Sequence, residues 1–75
     1  YETLRLLGVA YGISGQSAQA VIYFKKALEG KPDDAEAMFN YGTALLNTGQ
    51  EAAGNDYIQK AIAKNPEIKK RYGME

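Results

Sequence analysis

The chain has 75 residues, with nine basic and nine acidic side chains and neither cysteine nor histidine. At this length it forms one domain near the lower size limit for a self-sufficient core. Its balanced charge provides no general attraction for nucleic acid or an anionic membrane. The lack of cysteine excludes a disulfide framework and leaves both cytoplasm and periplasm open. No apolar run approaches membrane-spanning length, so we expect a soluble chain without direct membrane insertion.

The first helix is predicted over residues 2–14, because apolar and small residues recur there at helical spacing. These residues are Leu4, Leu7, Gly8 and Tyr11. Gly15 then provides a helix end and a tight turn. A second helix is predicted over residues 17–30, and Pro32 prevents its continuation. The short connection makes the two helices antiparallel.

A third helix is predicted over residues 35–48, with Asp33 or Asp34 as its N-cap. Glu36 lies three residues after Asp33, as in a capping box. The same three carboxylates also allow an acidic metal site. Capping accounts for all of them, so no metal or other cofactor is expected.

A fourth helix is predicted over residues 51–64, after Gly49, and a short final turn begins near Pro66. The basic run at residues 69–71 is interpreted as solvated charge near a helix end rather than as a phosphate site. No strand pattern competes, because β-branched residues are few and scattered. The predicted fold class is therefore all-α.

The two helix pairs repeat each other at a distance of 34 residues. Ten positions are identical at this offset: Glu2/Glu36, Gly8/Gly42, Ala10/Ala44, Gly15/Gly49, Gln16/Gln50, Ala18/Ala52, Tyr23/Tyr57, Lys26/Lys60, Ala27/Ala61 and Pro32/Pro66. Such a period indicates stacked helix pairs, which form surfaces for partners more often than active sites. Glycine inside a helix costs roughly 1 kcal/mol relative to alanine. We therefore expect Gly8 and Gly42 to mark close approach of the paired helix, at Ala20 and Gly54.

The chain resembles the tetratricopeptide repeat family, whose pattern of W-x2-L-G-x2-Y, A-x3-F and P recurs every 34 residues. The first repeat reads Leu4-x2-Leu7-Gly8-x2-Tyr11, Ala20-x3-Phe24 and Pro32, and the second reads Met38-x2-Tyr41-Gly42-x2-Leu45, Gly54-x3-Ile58 and Pro66. The resemblance implies antiparallel helix-turn-helix repeats stacked as a short right-handed α-solenoid. The repeats would occupy residues 1–34 and 35–68, and residues 69–75 would begin a third repeat or a capping helix.

The resemblance also implies that one face of each first helix lines a concave groove for a peptide or helix of a partner protein. The residues on that face are Glu2, Arg5, Val9, Gly12, Ile13, Glu36, Phe39, Asn40, Thr43, Leu46 and Asn47. Val9, Ile13, Phe39 and Leu46 would supply apolar contact, and the charged and amide side chains would set orientation. The expected function is a protein-interaction module or scaffold. The alternative is a structural repeat unit of a homo-oligomer or longer solenoid, in which neighbouring repeats or copies cover these side chains.

Some repeats of this family hold the C-terminal carboxylate of chaperones with Lys and Asn side chains. By register, Arg5, Asn40 and Lys70 fall at such positions, which adds Lys70 to the candidate binding residues. Val9 and Met74 stand where further donors are needed, so a carboxylate would lose much of its charge-assisted bonding. The carboxylate clamp is therefore the weaker alternative.

No combination of residues favours catalysis. The sequence has no paired nucleophile and base, and no glycine-rich phosphate loop between a strand and a helix. Tyr11, Tyr23, Tyr41 and Tyr57 occupy packing positions, and the balanced charge disfavours an RNA-reading repeat. We expect neither an enzyme nor a nucleic-acid-binding protein.

Repeat arrays expose apolar side chains at both ends unless the ends are capped. Thr3, Leu6 and Ala10 are expected at an uncovered leading edge. Tyr57, Ile58 and Ile62 are expected at a trailing edge that the last residues cover only in part. Two repeats also fall short of the roughly three needed for independent stability. We expect the chain either to belong to a longer array or to self-associate through these edges.

Overall fold

Five helices make up the part of the chain that the computed structural model describes. This part is residues 2–71, with side chains from Thr3 onward; Tyr1, the Glu2 side chain and residues 72–75 lie outside it. The helices are α1 (Glu2–Ile13), α2 (Ser17–Gly30), α3 (Ala35–Asn47), α4 (Glu51–Lys64) and α5 (Glu67–Arg71). The all-α class and the four predicted long helices are confirmed, and the described residues contain no strand. None of these five helices has the length and apolar composition needed to cross a membrane.

The turns after α1 and α3 are copies of each other. Gly15 and Gly49 have φ angles of 84° and 87°, in the left-handed region that favours glycine. The hydroxyl groups of Ser14 and Thr48 donate hydrogen bonds to the carbonyl oxygens three residues earlier, at 3.0 and 2.9 Å. Ser14 and Thr48 thus belong to the turns, and α1 and α3 each end one residue earlier than predicted.

The N-cap of α3 is Asp34. Its Oδ1 accepts hydrogen bonds from the backbone N–H groups of Glu36 and Ala37, at 2.9 and 3.3 Å. The predicted capping box with Asp33 is wrong, because Asp33 is exposed and pairs with Lys64 at 3.5 Å. Glu36 in turn accepts a 2.8 Å hydrogen bond from Arg71. The three carboxylates considered as metal ligands therefore have three different partners.

The helix-interior glycines do mark close helix contacts, but only one pair is the predicted one. A Cβ at Gly42 would lie 2.7 Å from the carbonyl oxygen of Gly54, which confirms the approach of α3 to α4. A Cβ at Gly8 would instead lie 2.6 Å from the ring of Phe24, not against Ala20. The aromatic ring therefore fills the space that Gly8 leaves on α1.

Two apolar clusters form the core. The first contains Ala20, Phe24 and Ala44 and joins α2 to α3, with Val9 and Tyr11 of α1 packed against it. The tyrosines pack across each helix pair as predicted: the rings of Tyr11 and Tyr23 lie 5.3 Å apart and those of Tyr41 and Tyr57 lie 4.8 Å apart. These ring contacts bury apolar surface between the two helices of each pair.

The second cluster contains Phe39, Ala61 and Ile68, with Ile62 packed against it. Ile68 is fully buried, so α5 covers the end of the helix stack. Ile58, expected at an open trailing edge, is buried. The expectation of an open edge at Ile58 is wrong, because the Ile58 side chain fills the space beside Gly42. A Cβ added at Gly42 would lie 2.9 Å from Cγ1 of Ile58.

Candidate partner-binding groove

A groove of about 290 Å³ lies between α1 and α3, and α2 forms its floor. Its lining residues are Gly8, Val9, Gly12 and Ile13 from α1, Ser17, Ala20 and Phe24 from α2, and Phe39, Asn40, Thr43, Ala44 and Asn47 from α3. None of these twelve side chains is charged. The site is therefore a neutral, mainly apolar cleft with polar groups on one wall.

Small residues create the open space. Gly12 leaves room above the floor, since a Cβ there would still be 4.0 Å from the Cβ of Ala20. The second repeat has the opposite arrangement at the equivalent positions, since Leu46 replaces Gly12 and Gly54 replaces Ala20. A Cβ added at Gly54 would lie only 2.9 Å from Cγ of Leu46. The leucine thus fills in the second repeat the volume that stays open in the first.

The apolar side chains of the groove lie at different depths. Phe39 lines the groove but is only 7% exposed, because it belongs to the core cluster with Ile68. Ile13 is 83% exposed at the end of α1 and is the most exposed large apolar side chain of the described residues. A partner would therefore meet Ile13 first, and the two phenylalanines of the lining, each 7% exposed, only inside the cleft.

The polar wall consists of Asn40, Thr43 and Asn47 on α3. The Thr43 hydroxyl donates to the carbonyl oxygen of Phe39 at 2.9 Å and keeps acceptor capacity. Asn40 and Asn47 lie two helical turns apart, roughly 10 Å along the axis. Each amide can both donate and accept hydrogen bonds, so the wall can pair with peptide groups of a bound chain.

Seven of the twelve residues predicted for partner binding line this groove: Val9, Gly12, Ile13, Phe39, Asn40, Thr43 and Asn47. The other described ones do not. The structure places Leu46 differently from the prediction, because its side chain packs against Gly54 on α4 and does not line the groove. Glu36 is also placed differently from the prediction, since it pairs with Arg71 of α5.

Of the three residues placed at carboxylate-clamp positions, only Asn40 lines the groove. Arg5 is half-buried on α1 and Lys70 is exposed on α5. Glu2, through its side chain, and Met74 lie outside the described residues. The cation that a clamp requires is thus missing from the groove lining.

Sequence reasoning missed the α2 floor, formed by Ser17, Ala20 and Phe24. The sequence analysis assigned Ala20 and Phe24 only to packing against α1. The sequence did contain a signal for this floor, because Gly8 and Gly12 lie about one turn apart on α1. Neither glycine has a side chain that would separate the groove from α2.

Comparisons with known proteins agree with this architecture. Models of the tetratricopeptide repeat match residues 1–34 and residues 23–53. The chain is also similar to the Vi polysaccharide export protein VexE of Salmonella typhi, with 31% identity over 68 residues that cover 85% of this chain and 10% of that protein. It thus spans about a tenth of the length of the curated relative it matches. With its paired helices, its 34-residue period and these matches, the chain belongs to the tetratricopeptide repeat family.

Proposed function

We propose that this protein is an interaction module that binds an uncharged, apolar segment of a partner protein in the groove between α1 and α3. The observation that supports this most is the composition of the lining, which has a mainly apolar floor, one polar wall and no charged side chain. Repeats of this family commonly serve as protein-interaction modules and generally as non-catalytic scaffolds. No catalytic role is proposed.

The size and chemistry of the groove limit what it would bind. Its volume, about 290 Å³, lies at the lower end of the range of roughly 300–1,000 Å³ typical of ligand pockets. It therefore suits one or a few apolar side chains rather than a whole domain. A charged side chain buried there would find no opposite charge in the lining, and an unpaired buried charge is strongly unfavourable.

The amides of the polar wall would orient the bound segment. Asn40 and Asn47 make no side-chain hydrogen bond within residues 3–71. Their spacing of roughly 10 Å equals about three residues of extended chain at roughly 3.3 Å each. An extended segment could then pair its backbone with both amides while an apolar side chain enters the cleft near Ile13.

The similarity to a polysaccharide export protein supports a proposal about the setting of this activity. The matched region is a small part of that protein. We place the module, by this analogy, in an export assembly, where it would hold a protein partner rather than act on polysaccharide itself.

The test is selection of binders from a library of random peptides displayed on phage, with the 75-residue chain as bait. Ile13→Lys is the groove variant, because a cation at the end of α1 is compatible with the helix dipole while it charges the groove. Ile22→Lys is the matched control, since Ile22 is an exposed isoleucine on α2 outside the lining.

The expected result is a family of peptides with an apolar anchor and uncharged neighbours, which bind the wild-type chain and the Ile22→Lys variant equally. Binding to Ile13→Lys should fall at least about tenfold, the ratio that corresponds to 1.4 kcal/mol. The groove proposal fails if both variants bind alike, or if the selected peptides share only a free C-terminal carboxylate.

A further inference from the structure

The open part of the groove at Gly12 has a filled counterpart in the second repeat, at Leu46. The Leu46 side chain is half-buried and lies over Gly54, where an added Cβ would be 2.9 Å from its Cγ and 3.0 Å from its Cδ2. At the equivalent place in the first repeat, Gly12 has no side chain and the groove stays open above Ala20. We call this open place, bounded by Gly12 and Ala20, the Gly12 slot.

The Gly12 slot is short and has an apolar floor. About one turn earlier on α1 it is closed, because the Phe24 ring fills the space at Gly8, where an added Cβ would lie 2.6 Å from Cε1 of the ring. Its floor is the methyl group of Ala20, which is 4.0 Å from the position of a Cβ on Gly12. Ala20 and Phe24 are both buried in one core cluster, so these boundaries are held by packing. Such a slot suits a short branched side chain better than a longer aromatic one.

Leu46 indicates which kind of side chain this register accommodates. Apolar sites tolerate best a group of similar volume and shape, and the group that fills the equivalent space is a branched aliphatic one. Ala20 adds one methyl group that Gly54 lacks, so the slot is somewhat smaller than the space around Leu46. A side chain that enters from a partner is not attached to α1, and it can therefore rest on the Ala20 methyl group.

We infer that the Gly12 slot receives a branched aliphatic side chain of the partner, from leucine, isoleucine or valine, and that Gly12 determines this selectivity. The selectivity rests on the proposed function, because the slot is part of the same groove. It goes further by naming the side chain that anchors the bound segment. An aliphatic anchor brings no charge into a lining that has none to pair with it.

A second copy of the chain is a poorer occupant. It would offer Ile13, which is 83% exposed, but this residue belongs to α1. Backbone N–H groups of a helix donate within the helix, so α1 of another copy would leave the amides of Asn40 and Asn47 without backbone partners. An extended segment from a different protein can pair with these amides and also present an aliphatic side chain to the slot.

The test transfers the arrangement of the second repeat to the first. The Gly12→Leu/Ala20→Gly variant has at these positions the residue types of Leu46 and Gly54, so the introduced leucine should fill the slot from within the chain. The helix propensity gained at one position offsets that lost at the other, and circular dichroism checks that the variant is folded. Ala10→Leu is the matched control, since Ala10 is exposed on the same helix and lies outside the groove lining. Titration calorimetry measures the affinity of each chain for the peptides selected on phage.

We expect the selected peptides to carry leucine, isoleucine or valine as their anchor. Their affinity should fall at least about tenfold for the Gly12→Leu/Ala20→Gly variant, the ratio that corresponds to 1.4 kcal/mol, and stay unchanged for Ala10→Leu. On the wild-type chain, a peptide with phenylalanine at the anchor should bind at least about fivefold more weakly, because overpacking an apolar site is unfavourable. A peptide with alanine there should lose at least about tenfold, because the apolar contact is removed. These two peptides test the selectivity even if the double variant does not fold.

The aliphatic selectivity is overturned if aromatic anchors bind as tightly as aliphatic ones, or if the folded double variant binds as tightly as the wild-type chain. The proposed function still stands in that case, provided that binding is lost in Ile13→Lys. If binding does not depend on Ile13, the proposed function and the selectivity fail together. A wild-type chain that sediments as a dimer, and that Ile13→Lys converts to monomer, would also overturn the inference, because the occupant would then be a second copy.

Discussion

At the scale of single residues, Gly42 and Gly12 lie inside helices but in opposite surroundings. A Cβ at Gly42 would meet the Gly54 carbonyl oxygen at 2.7 Å and Ile58 Cγ1 at 2.9 Å. Gly42→Ala should therefore lower the free energy of unfolding by about 1–3 kcal/mol, as overpacking does. Gly12→Ala should raise it by up to about 1 kcal/mol, because only the helix-propensity gain applies. Urea unfolding of both variants checks this, and stabilisation by Gly42→Ala would contradict the close helix contact.

The two neighbouring aspartates before α3 also differ. Asp34 accepts two backbone hydrogen bonds at the start of the helix, whereas the Asp33 side chain is 91% exposed. Asp34→Ala should lower the free energy of unfolding by about 1 kcal/mol. Asp33→Ala should change it by less than about 0.5 kcal/mol, as is usual for surface positions.

Asp34→Asn serves as the control for this cap, because asparagine is an equally good N-cap residue. It should retain most of the wild-type stability in the same thermal or urea unfolding experiment. If Asp33→Ala were the more destabilising of the two alanine variants, the assignment of the cap to Asp34 would be wrong.

At the scale of helices, α5 is short and depends on one side chain. Ile68 is fully buried in one cluster with Phe39 and Ala61, while the ion pair that links α5 to α3, Arg71 with Glu36, is partly exposed to solvent. Ile68→Ala should lower the free energy of unfolding by about 2–5 kcal/mol, the range for buried isoleucine truncation. The exposed Lys69→Ala variant should change it little.

The Ile68→Ala substitution should also affect the groove. Phe39 belongs to the Ile68 cluster and also lines the cleft. Under the proposed function, Ile68→Ala should therefore weaken peptide binding by allowing the Phe39 ring to move. Titration of a selected peptide into both variants measures this. Unchanged affinity in a folded Ile68→Ala variant would show that the Phe39 ring is held without α5.

At the scale of the whole molecule, the groove and the exposed apolar surface of α1 at Leu6 and Leu7 should act independently. Ile13 and Leu6 are seven residues apart on α1, roughly 10 Å along the helix. Under the proposed function, Ile13→Lys should weaken peptide binding at least about tenfold. Leu6→Glu should leave peptide binding unchanged, because Leu6 lies outside the groove lining. Their effects on the free energy of unfolding should add to within about 0.5 kcal/mol in the double variant, and a larger interaction energy would mean that the two surfaces are coupled.

The architecture was predictable from the sequence because the signals for it are local. Helix ends depend on residues such as Gly15, Gly49 and Pro32, whose backbone preferences act within a turn. The 34-residue period then indicated that the two helix pairs would stack. The sequence left the cap before α3 open between Asp33 and Asp34, since either of two adjacent carboxylates can satisfy the first N–H groups. The capping box with Asp33 was wrong, because Asp34 is the cap.

The groove was predictable only in part, because its shape depends on volumes contributed by different helices. Leu46 and Gly12 share one register, yet Leu46 packs on α4 where Gly54 leaves space, and Gly12 stays open above Ala20. A helical wheel gives the direction of a side chain but not the depth of the neighbour it meets. The amino-acid sequence by itself thus determined the helices, their order and the repeat. The tertiary structure decided which repeat retains an open cleft and that α2 forms its floor, since packing is settled by pairs of residues distant in sequence.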